Sequence, residues 1–452
     1  MLWRSLGEIH ETTFFMRKKN RGLTAESVPV LKRIGHRTLR VPGSKSLTQR
    51  AIMLGALGAG RTVLMEPLFS DDTELLSQAL ATLGVGVKWS SKKLILHGID
   101  GSFPRGGMVN LGAGGTPSRF MIAAGCLSKE EVVVDGNARM RQRPVGELLT
   151  LLQQLGATIE GDHLPVTVNG TSTSGGSLAI PVTQSSQFIS AILLLAPFLE
   201  GGVTLRCEKP ITSESYVDLT LEMLRTFNVP VREDSNATHR TIEVEHTRVT
   251  HRELEIEPDA SSAVYFAAVA TLHEGLSVTL EGLRLDSRQP DTKAIRLLGS
   301  IGADIQETTS GLQVTGTGTI RGFGDLDASS FPDASLCLAA VAAVADSPSR
   351  IYGLETLPLK ESDRIEVMAR SLAKAGCGVG AGKSDLRITP LLEGNHEPTA
   401  IDPVGDHRIA MSMAVLGTKR SGISIVDPTC VSKSYPNFWI DLREVYEGND
   451  AS

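Results

Sequence analysis

Apolar and polar positions alternate along this chain in one recurring arrangement. An amphipathic run with helical spacing ends at glycine or asparagine, and a short β-prone run follows. The pattern appears as Leu80-Ala81-Thr82-Leu83-Gly84-Val85, Leu152-Gln153-Gln154-Leu155-Gly156-Ala157 and Leu224-Arg225-Thr226-Phe227-Asn228-Val229. It returns as Leu298-Gly299-Ser300-Ile301-Gly302-Ala303 and Leu372-Ala373-Lys374-Ala375-Gly376-Cys377. Glycine and asparagine best tolerate the left-handed backbone that terminates a helix. The stops at 84, 156, 228, 302 and 376 are 72, 72, 74 and 74 residues apart, which puts a sixth near 448–450, where Gly448 follows the helical run Phe438 to Glu447. Equal spacing of this kind marks a repeated supersecondary unit. Each unit is long enough for two helices and several strands; Asp72 to Leu83 reads as a helix and Leu94-Ile95-Leu96 as a strand.

Six units suggest two domains of three units with a cleft between them. Because the last stop falls at the C-terminus, the N-terminal segment is expected to complete the final unit. One domain would then take both chain ends (1–41 plus 257–452) and the other 42–256, with a boundary near Glu255–Pro258. The first 30 residues carry a basic run, Arg17-Lys18-Lys19, and lack both an uninterrupted apolar core and a small-residue cleavage site. They read as a frayed extension, with Met16 an alternative start.

Composition narrows the function. Of 452 residues, 41% are hydrophobic and 21% charged, as in an ordinary folded protein, and the net charge of −6 does not suit a general nucleic-acid binder. The longest apolar run, Ile189 to Leu199, is too short to span a bilayer. Five cysteines without a C-x-x-C pair point to no disulfide framework or zinc site, and so to a reducing, cytoplasmic setting.

Candidate chemistry gathers where glycine, serine and cations precede helical runs. Pro42-Gly43-Ser44-Lys45-Ser46 with Arg50 leads into an apolar helix over Ala51 to Leu57, a cradle suited to an anion. Gly112-Ala113-Gly114-Gly115-Thr116-Pro117-Ser118-Arg119 resembles it but lacks the third glycine of a dinucleotide fingerprint. Arg139, Arg141 and Arg143 crowd into five residues, as a wet surface or facing an anion. Ser185-Ser186-Gln187 can cap the helix that follows. Lys360-Glu361-Ser362-Asp363-Arg364 can be surface ion pairing, and Asp406 before His407-Arg408 can be a cap. Gly380-Ala381-Gly382-Lys383-Ser384 imitates the end of a P-loop, but Cys377 stands where its first glycine belongs and a strand-like run follows. An acidic chain that concentrates Lys and Arg at helix starts suits small polyanionic substrates, with Asp333 and Glu361 as acid–base candidates.

These motifs, together with Pro258-Asp259-Ala260-Ser261-Ser262-Ala263 and Lys433, stand in an order that closely resembles the 5-enolpyruvylshikimate-3-phosphate synthases, over about Arg40 to Phe438. The resemblance implies an α/β fold, a two-domain inside-out α/β barrel of six βαβαββ-type units with an interdomain active-site cleft. It implies 3-phosphoshikimate 1-carboxyvinyltransferase activity, a step of the shikimate pathway, by addition and elimination through a tetrahedral intermediate without metal or organic cofactor. Lys45, Ser46, Arg50, Ser185, Ser186, Gln187, Ser213, Tyr216, Asp333 and Lys360 would bind shikimate 3-phosphate. Lys45, Gly115, Arg139, Gln187, Arg364, Arg408 and Lys433 would bind phosphoenolpyruvate. Lys45, Asp333, Glu361 and Lys433 would be catalytic, Asp333 taking the proton of the 5-hydroxyl. The resemblance also implies glyphosate as an inhibitor beside Gly115. A monomer without nucleic-acid or membrane partners is expected. Ala113 and Thr356 depart from asparagines usual in the family. The alternatives are the sister transferase acting on UDP-N-acetylglucosamine, whose catalytic-loop cysteine has no convincing counterpart here, and an inactive anion-binding paralogue.

Overall fold

The computed structural model describes residues 25–31, 33–392, 394 and 396–447. Gly448, Met16 and the rest of the first 24 residues lie outside them. Among the described residues the strands form five four-stranded sheets and one of three strands.

The unit centred on residues 107–169 shows how each is built. Strand Gly107–Asn110 runs parallel to Val132–Asp135, which pairs antiparallel with Val166–Asn169, and that strand pairs antiparallel with Thr158–Glu160. Helices Gly115–Gly125 and Gly146–Gln154 make the connections. The order is β-α-β-α-β-β.

The second helix of each unit is the amphipathic one that ends at the recurrent stop. Gly84, Gly156, Asn228 and Gly376 have φ of 102°, 100°, 59° and 106°. Gly302 is different: its φ is 160° and its ψ 16°, and a Cβ there would lie against the Thr319 carbonyl. The first helix of each unit is buried almost all round. Lys45–Leu57, Gly115–Gly125 and Ser186–Leu195 pack together, as do Ala260–Leu272, Ser335–Ala342 and His407–Gly417. Such helices lack a polar face and therefore a readable period. Three buried helices surrounded by sheets are the inside-out arrangement expected from the resemblance.

Two strands cross between units. Glu253–Glu255 joins Ala59–Met65, and His36–Leu39 joins Ser277–Glu281, both in parallel. Buried apolar side chains accordingly form two clusters. One holds residues 47–256, and the other residues 28–41 with 260–445. The two crossings lie side by side: Ser44 N–H donates to the Glu257 carbonyl (2.8 Å) and Asp259 N–H to that of Pro42 (2.8 Å).

Part of the expected N-terminal extension is ordered structure. Ala25–Ser27 pairs antiparallel with Ile423–Val426 and completes the last sheet, while Val28 and Leu31 are buried. Burying such side chains is worth about 1.5–3 kcal/mol each, enough to hold a short strand at a sheet edge. No helix among the described residues is long and apolar enough to cross a membrane.

Candidate active site

The buried helices of both clusters turn their N-terminal ends to one cleft. The first turns of Lys45–Leu57, Gly115–Gly125, Ser186–Leu195, Ala260–Leu272, Arg364–Ala375 and His407–Gly417 all contribute to it or to its immediate support. Helix N-termini carry unsatisfied N–H groups and a partial positive charge, so their convergence favours anions.

The first helix begins earlier than the apolar run suggests. Ser44 caps it, accepting from Leu47 N–H, so that Lys45, Ser46 and Arg50 lie on helical turns at the cleft. Asp259 reinforces this start from the other half, accepting the Lys45 N–H (2.9 Å) and capping its own helix through Ser262 N–H (3.1 Å). Ser185 caps helix Ser186–Leu195 and, with Ser186 and Gln187, lines the cleft. Ser213 and Tyr216 reach it from the start of Glu214–Thr226.

Opposite them lies a buried ion network. Arg364 bonds Asp406 (2.8 Å), Asp333 (2.8 Å) and Glu361 (2.8 Å). Asp333 also pairs with Arg408 (3.0 Å) and lies 3.7 Å from Lys360 Nζ. Lys433 Nζ donates to Glu361 (2.6 Å) and to the Ala113 carbonyl (2.8 Å). Lys45 Nζ is 3.4 Å from Asp72.

Burial alone would raise the Asp333 carboxyl, but Arg408, Lys360 and Arg364 together hold it well below the usual range. Glu361 is likewise held well below by Lys433, Arg364 and Arg143 against the opposing effect of burial. Burial lowers Lys360, partly offset by Asp333. Burial also drives His407 well below its ordinary value, helped by Lys45, so it packs as a neutral ring beneath the cations. Asp406, read as a possible cap, does cap its helix through Arg408 N–H (3.0 Å), and it also holds Ser362 and Arg364.

Lys45, Ser46, Arg50, Gly115, Ser185, Ser186, Gln187, Ser213, Tyr216, Asp333, Lys360, Glu361, Arg364 and Arg408 therefore line one cleft, with Lys433 on its Glu361 wall. Arg50 differs from the other cations. Its guanidinium is buried and donates to Thr220, Ser46 and Tyr216, and burial lowers it to about 10.

Arg139 does not line the cleft: its guanidinium donates to the carbonyls of Lys360 (2.8 Å) and Pro358 (3.2 Å). Arg143, from the same segment, lines the cleft. Arg143 is 4% exposed, lies 3.6 Å from Glu361 and packs over Gly115, where an added Cβ would fall 2.5 Å from Nη1. The reason is local. Helix Ala138–Gln142 is one short turn, and Arg143 leaves it with extended backbone, so helical spacing cannot tell which arginine faces inward. Arg119, Asp72, Asp259, Ser261 and Thr356 also line the cleft. Arg119 donates to Gln187 Oε1 (2.5 Å) and stacks on Phe188, 5.1 Å from the ring centre. Cys126 is buried at the far end of its helix with a thiol pushed up to about 12 by burial, remote in character from a reactive cysteine.

This is the class of a two-lobed α/β transferase whose cleft gathers serines and cations beside paired carboxylates and ammonium groups. The family model for EPSP synthase (3-phosphoshikimate 1-carboxyvinyltransferase) matches residues 35–442, and the chain belongs to that family. A 3-phosphoshikimate 1-carboxyvinyltransferase of Methanoculleus marisnigri is 39% identical over 406 residues, covering 88% of this chain and 94% of the relative. One from Haemophilus ducreyi is 34% identical over 432 residues, 93% and 98% of the two chains. Among solved structures, EPSP synthase from Acinetobacter baumannii superposes with a TM-score of 0.76 at 25% identity, over 93% of this chain and 98% of that one.

Proposed function

We propose that the chain transfers the enolpyruvyl group of phosphoenolpyruvate to the 5-hydroxyl of shikimate 3-phosphate, releasing inorganic phosphate. The observation that carries this reading is the joining, in one cleft, of serine-rich helix starts and two groups of cations around Asp333 and the Glu361–Lys433 pair.

Ser46, Ser185, Ser186, Ser213 and Lys360 hold the acceptor and its phosphate, with Tyr216 against the ring. Arg143, Arg364 and Arg408 hold the phosphate and carboxylate of the donor. Arginine suits this because its planar fork pairs bidentately with such groups. Lys45 and Gln187 lie between the two sets. Arg119 fixes the Gln187 carbonyl oxygen, which turns the amide N–H groups to the substrates.

In the addition, the 5-oxygen attacks the central carbon of phosphoenolpyruvate as its proton passes to Asp333, and the methylene carbon takes a proton from Lys433. The product is a tetrahedral ketal phosphate. In the elimination the methyl group gives back a proton to the Glu361–Lys433 pair, and phosphate leaves, taking up the proton that Asp333 accepted. Asp333 bound by three cations is a weak base, so the substrates' anionic groups must draw those cations away before it can act. Binding thereby raises the carboxyl toward a useful range.

The cluster comprising residues 28–41 and 260–445 and that comprising residues 47–256 act as two lobes that close over the substrates. Closure removes water and strengthens the charge interactions within. Glyphosate, an anion, occupies the donor's place beside Gly115 and inhibits. The enzyme acts as a monomer in the cytoplasm.

The test is phosphate release from phosphoenolpyruvate with shikimate 3-phosphate, run in parallel with UDP-N-acetylglucosamine. Release with the first acceptor alone is expected. Release only with the sugar nucleotide assigns the chain to the sister activity, and release with neither supports the inactive paralogue.

A further inference from the structure

Ser261 lines the cleft from the first turn of helix Ala260–Leu272. Behind it, its Oγ is bonded to Asp291 Oδ2. Asp291 stands at the N-cap position of helix Thr292–Ile301, yet its side chain accepts none of that helix's N–H groups. It is 1% exposed, and its Oδ1 is buried without a partner. The backbone there leaves it nothing to cap: Thr292 and Lys293 N–H already donate to the carbonyls of Gln289 (3.2 Å) and Pro290 (3.2 Å), and Asp291 itself has helical φ and ψ of −75° and −7°. A carboxylate that keeps a bare buried oxygen is costly. Its single side-chain bond is the one to the serine in the cleft.

The surroundings hold this pair in place. Gln289, two residues before Asp291, accepts the Ala260 N–H (3.0 Å) and donates to the Pro258 carbonyl (2.8 Å). The two turns are therefore clamped together, and Asp291 has little freedom to swing away. Asp259, Asp333, Tyr216 and Arg408 are the other charged or titratable groups acting on it; burial pushes its carboxyl up to about 6, so at neutral pH it is an anion.

The chemistry follows from donor counting. An ionised carboxylate only accepts, so the Ser261 hydroxyl must give its one hydrogen to Asp291. Oγ then presents only lone pairs to the cleft. A hydroxyl locked in this state cannot donate to phosphate or carboxylate oxygens; it can accept from a hydroxyl. The serines expected to hold the acceptor's phosphate need the opposite state.

We propose that Asp291 is a positioning residue that locks Ser261 as a hydrogen-bond acceptor for a ring hydroxyl of the acceptor substrate. This rests on the reading that the acceptor is a hydroxylated ring phosphate. The pair distinguishes that polyol face from the anionic ends, which the cations and the other serines take.

The test is steady-state kinetics of S261A, D291N and the double variant with shikimate 3-phosphate and phosphoenolpyruvate. In D291N the amide can donate to Oγ and free the serine hydrogen to point at the cleft. Each single variant is expected to lose about tenfold in kcat/KM for the acceptor, the size of one hydrogen bond of this kind, with KM for phosphoenolpyruvate unchanged. The double variant is expected to match S261A, because Asp291 acts only through Ser261. Three results overturn the proposal: S261A within twofold of wild type; D291N losses that multiply onto those of S261A; or both KM values rising together with a fall in melting temperature. Wild type with no turnover on shikimate 3-phosphate defeats the functional reading itself, and this inference with it.

Discussion

Gly115→Ala is a small change whose consequence can be worked out from distances. Gly115 is the first residue of helix Gly115–Gly125 and has no positive φ, so alanine fits its backbone. Helix propensity favours alanine by up to about 1 kcal/mol, less at a first turn. The fold should therefore keep or slightly raise its melting temperature. What the new methyl meets is the Arg143 guanidinium, at 2.5 Å from Nη1 and 2.6 Å from Cζ and Nη2. Ordinary contact needs about 3.5 Å, so the guanidinium must retreat by about 1 Å. It is not free to do so without loss, because Nε donates to the Leu359 carbonyl (3.1 Å) and Nη1 faces Glu361. If Arg143 grips the donor's oxyanion, the displacement weakens a charge-assisted bond worth about 1.5–3 kcal/mol. That corresponds to roughly 10–100-fold in kcat/KM for phosphoenolpyruvate. The assay varies each substrate at saturating levels of the other and adds a glyphosate titration. KM for phosphoenolpyruvate should rise, KM for shikimate 3-phosphate should stay within about twofold, and glyphosate inhibition should weaken in parallel. An unchanged donor KM in the folded variant, or an equal rise in both KM values, would refute the placement of Arg143 at the donor.

Arg143→Lys and Arg139→Lys separate the two arginines. The first should cost about 100-fold in kcat/KM for phosphoenolpyruvate, because an ammonium cannot fork onto an oxyanion; the second, which serves only carbonyls, should cost under tenfold. The reverse order would return the donor role to Arg139. Lys45→Met and Asp333→Ala should fold normally, by circular dichroism and melting, and lose nearly all turnover; wild-type-like rates in either would sink the assigned chemistry. His273 is buried against Thr418 (3.0 Å), and burial, with Lys419 nearby, lowers it from 6.5 to about 4. A base lowered on folding contributes stability above its unfolded value, and that contribution is lost as pH falls from 6.5 toward 4. His273→Gln should flatten that part of the acid limb by on the order of 2 kcal/mol, measured as urea midpoints at pH 7 and pH 4.5. An unchanged difference between the two pH values would show that other groups set the limb.

The repeat was legible because its signal sits in the second helix of each unit, which has one wet face and a glycine or asparagine stop. The first helices were less legible, since a helix buried all round has no period; helix Lys45–Leu57 was visible only from Ala51, where its polar first turns end. The exchange of strands His36–Leu39 and Glu253–Glu255 left no local trace, because a three- or four-residue edge strand takes its partner from tertiary position. The candidate site was legible to the extent that its cations and serines lie beside glycine at helix starts. That Arg143 rather than Arg139 lines the cleft was not legible, since both stand in the same arginine-rich segment. Asp291 was hidden more thoroughly: nothing in Gln289-Pro290-Asp291-Thr292 departs from an ordinary helix cap until the side chain is seen to face Ser261, thirty residues earlier.

The same cleft explains how an acidic chain handles two anions at once. Its net charge of −6 repels them at long range, and screening beyond about 8 Å makes that repulsion weak at physiological salt. Inside, the cations are held by internal partners. Arg364 lies on three carboxylates, Lys433 on Glu361 and Ala113, and Arg143 on the Leu359 carbonyl. Substrate oxyanions therefore enter by exchange, replacing carbonyls and carboxylates already desolvated, which avoids much of the cost of drying a bare guanidinium. The exchange has a chemical result as well. In the proposed mechanism, each cation drawn to a substrate leaves Asp333 or Glu361 less strongly stabilised as an anion, so filling the anion subsites would make these carboxylates better bases. Binding and activation are then one event, and a variant that removes a cation should impair both, whereas one that removes only a carbonyl partner, such as a shift of the 358–360 turn, should tighten neither substrate nor rate unless the cation it frees can reach the cleft.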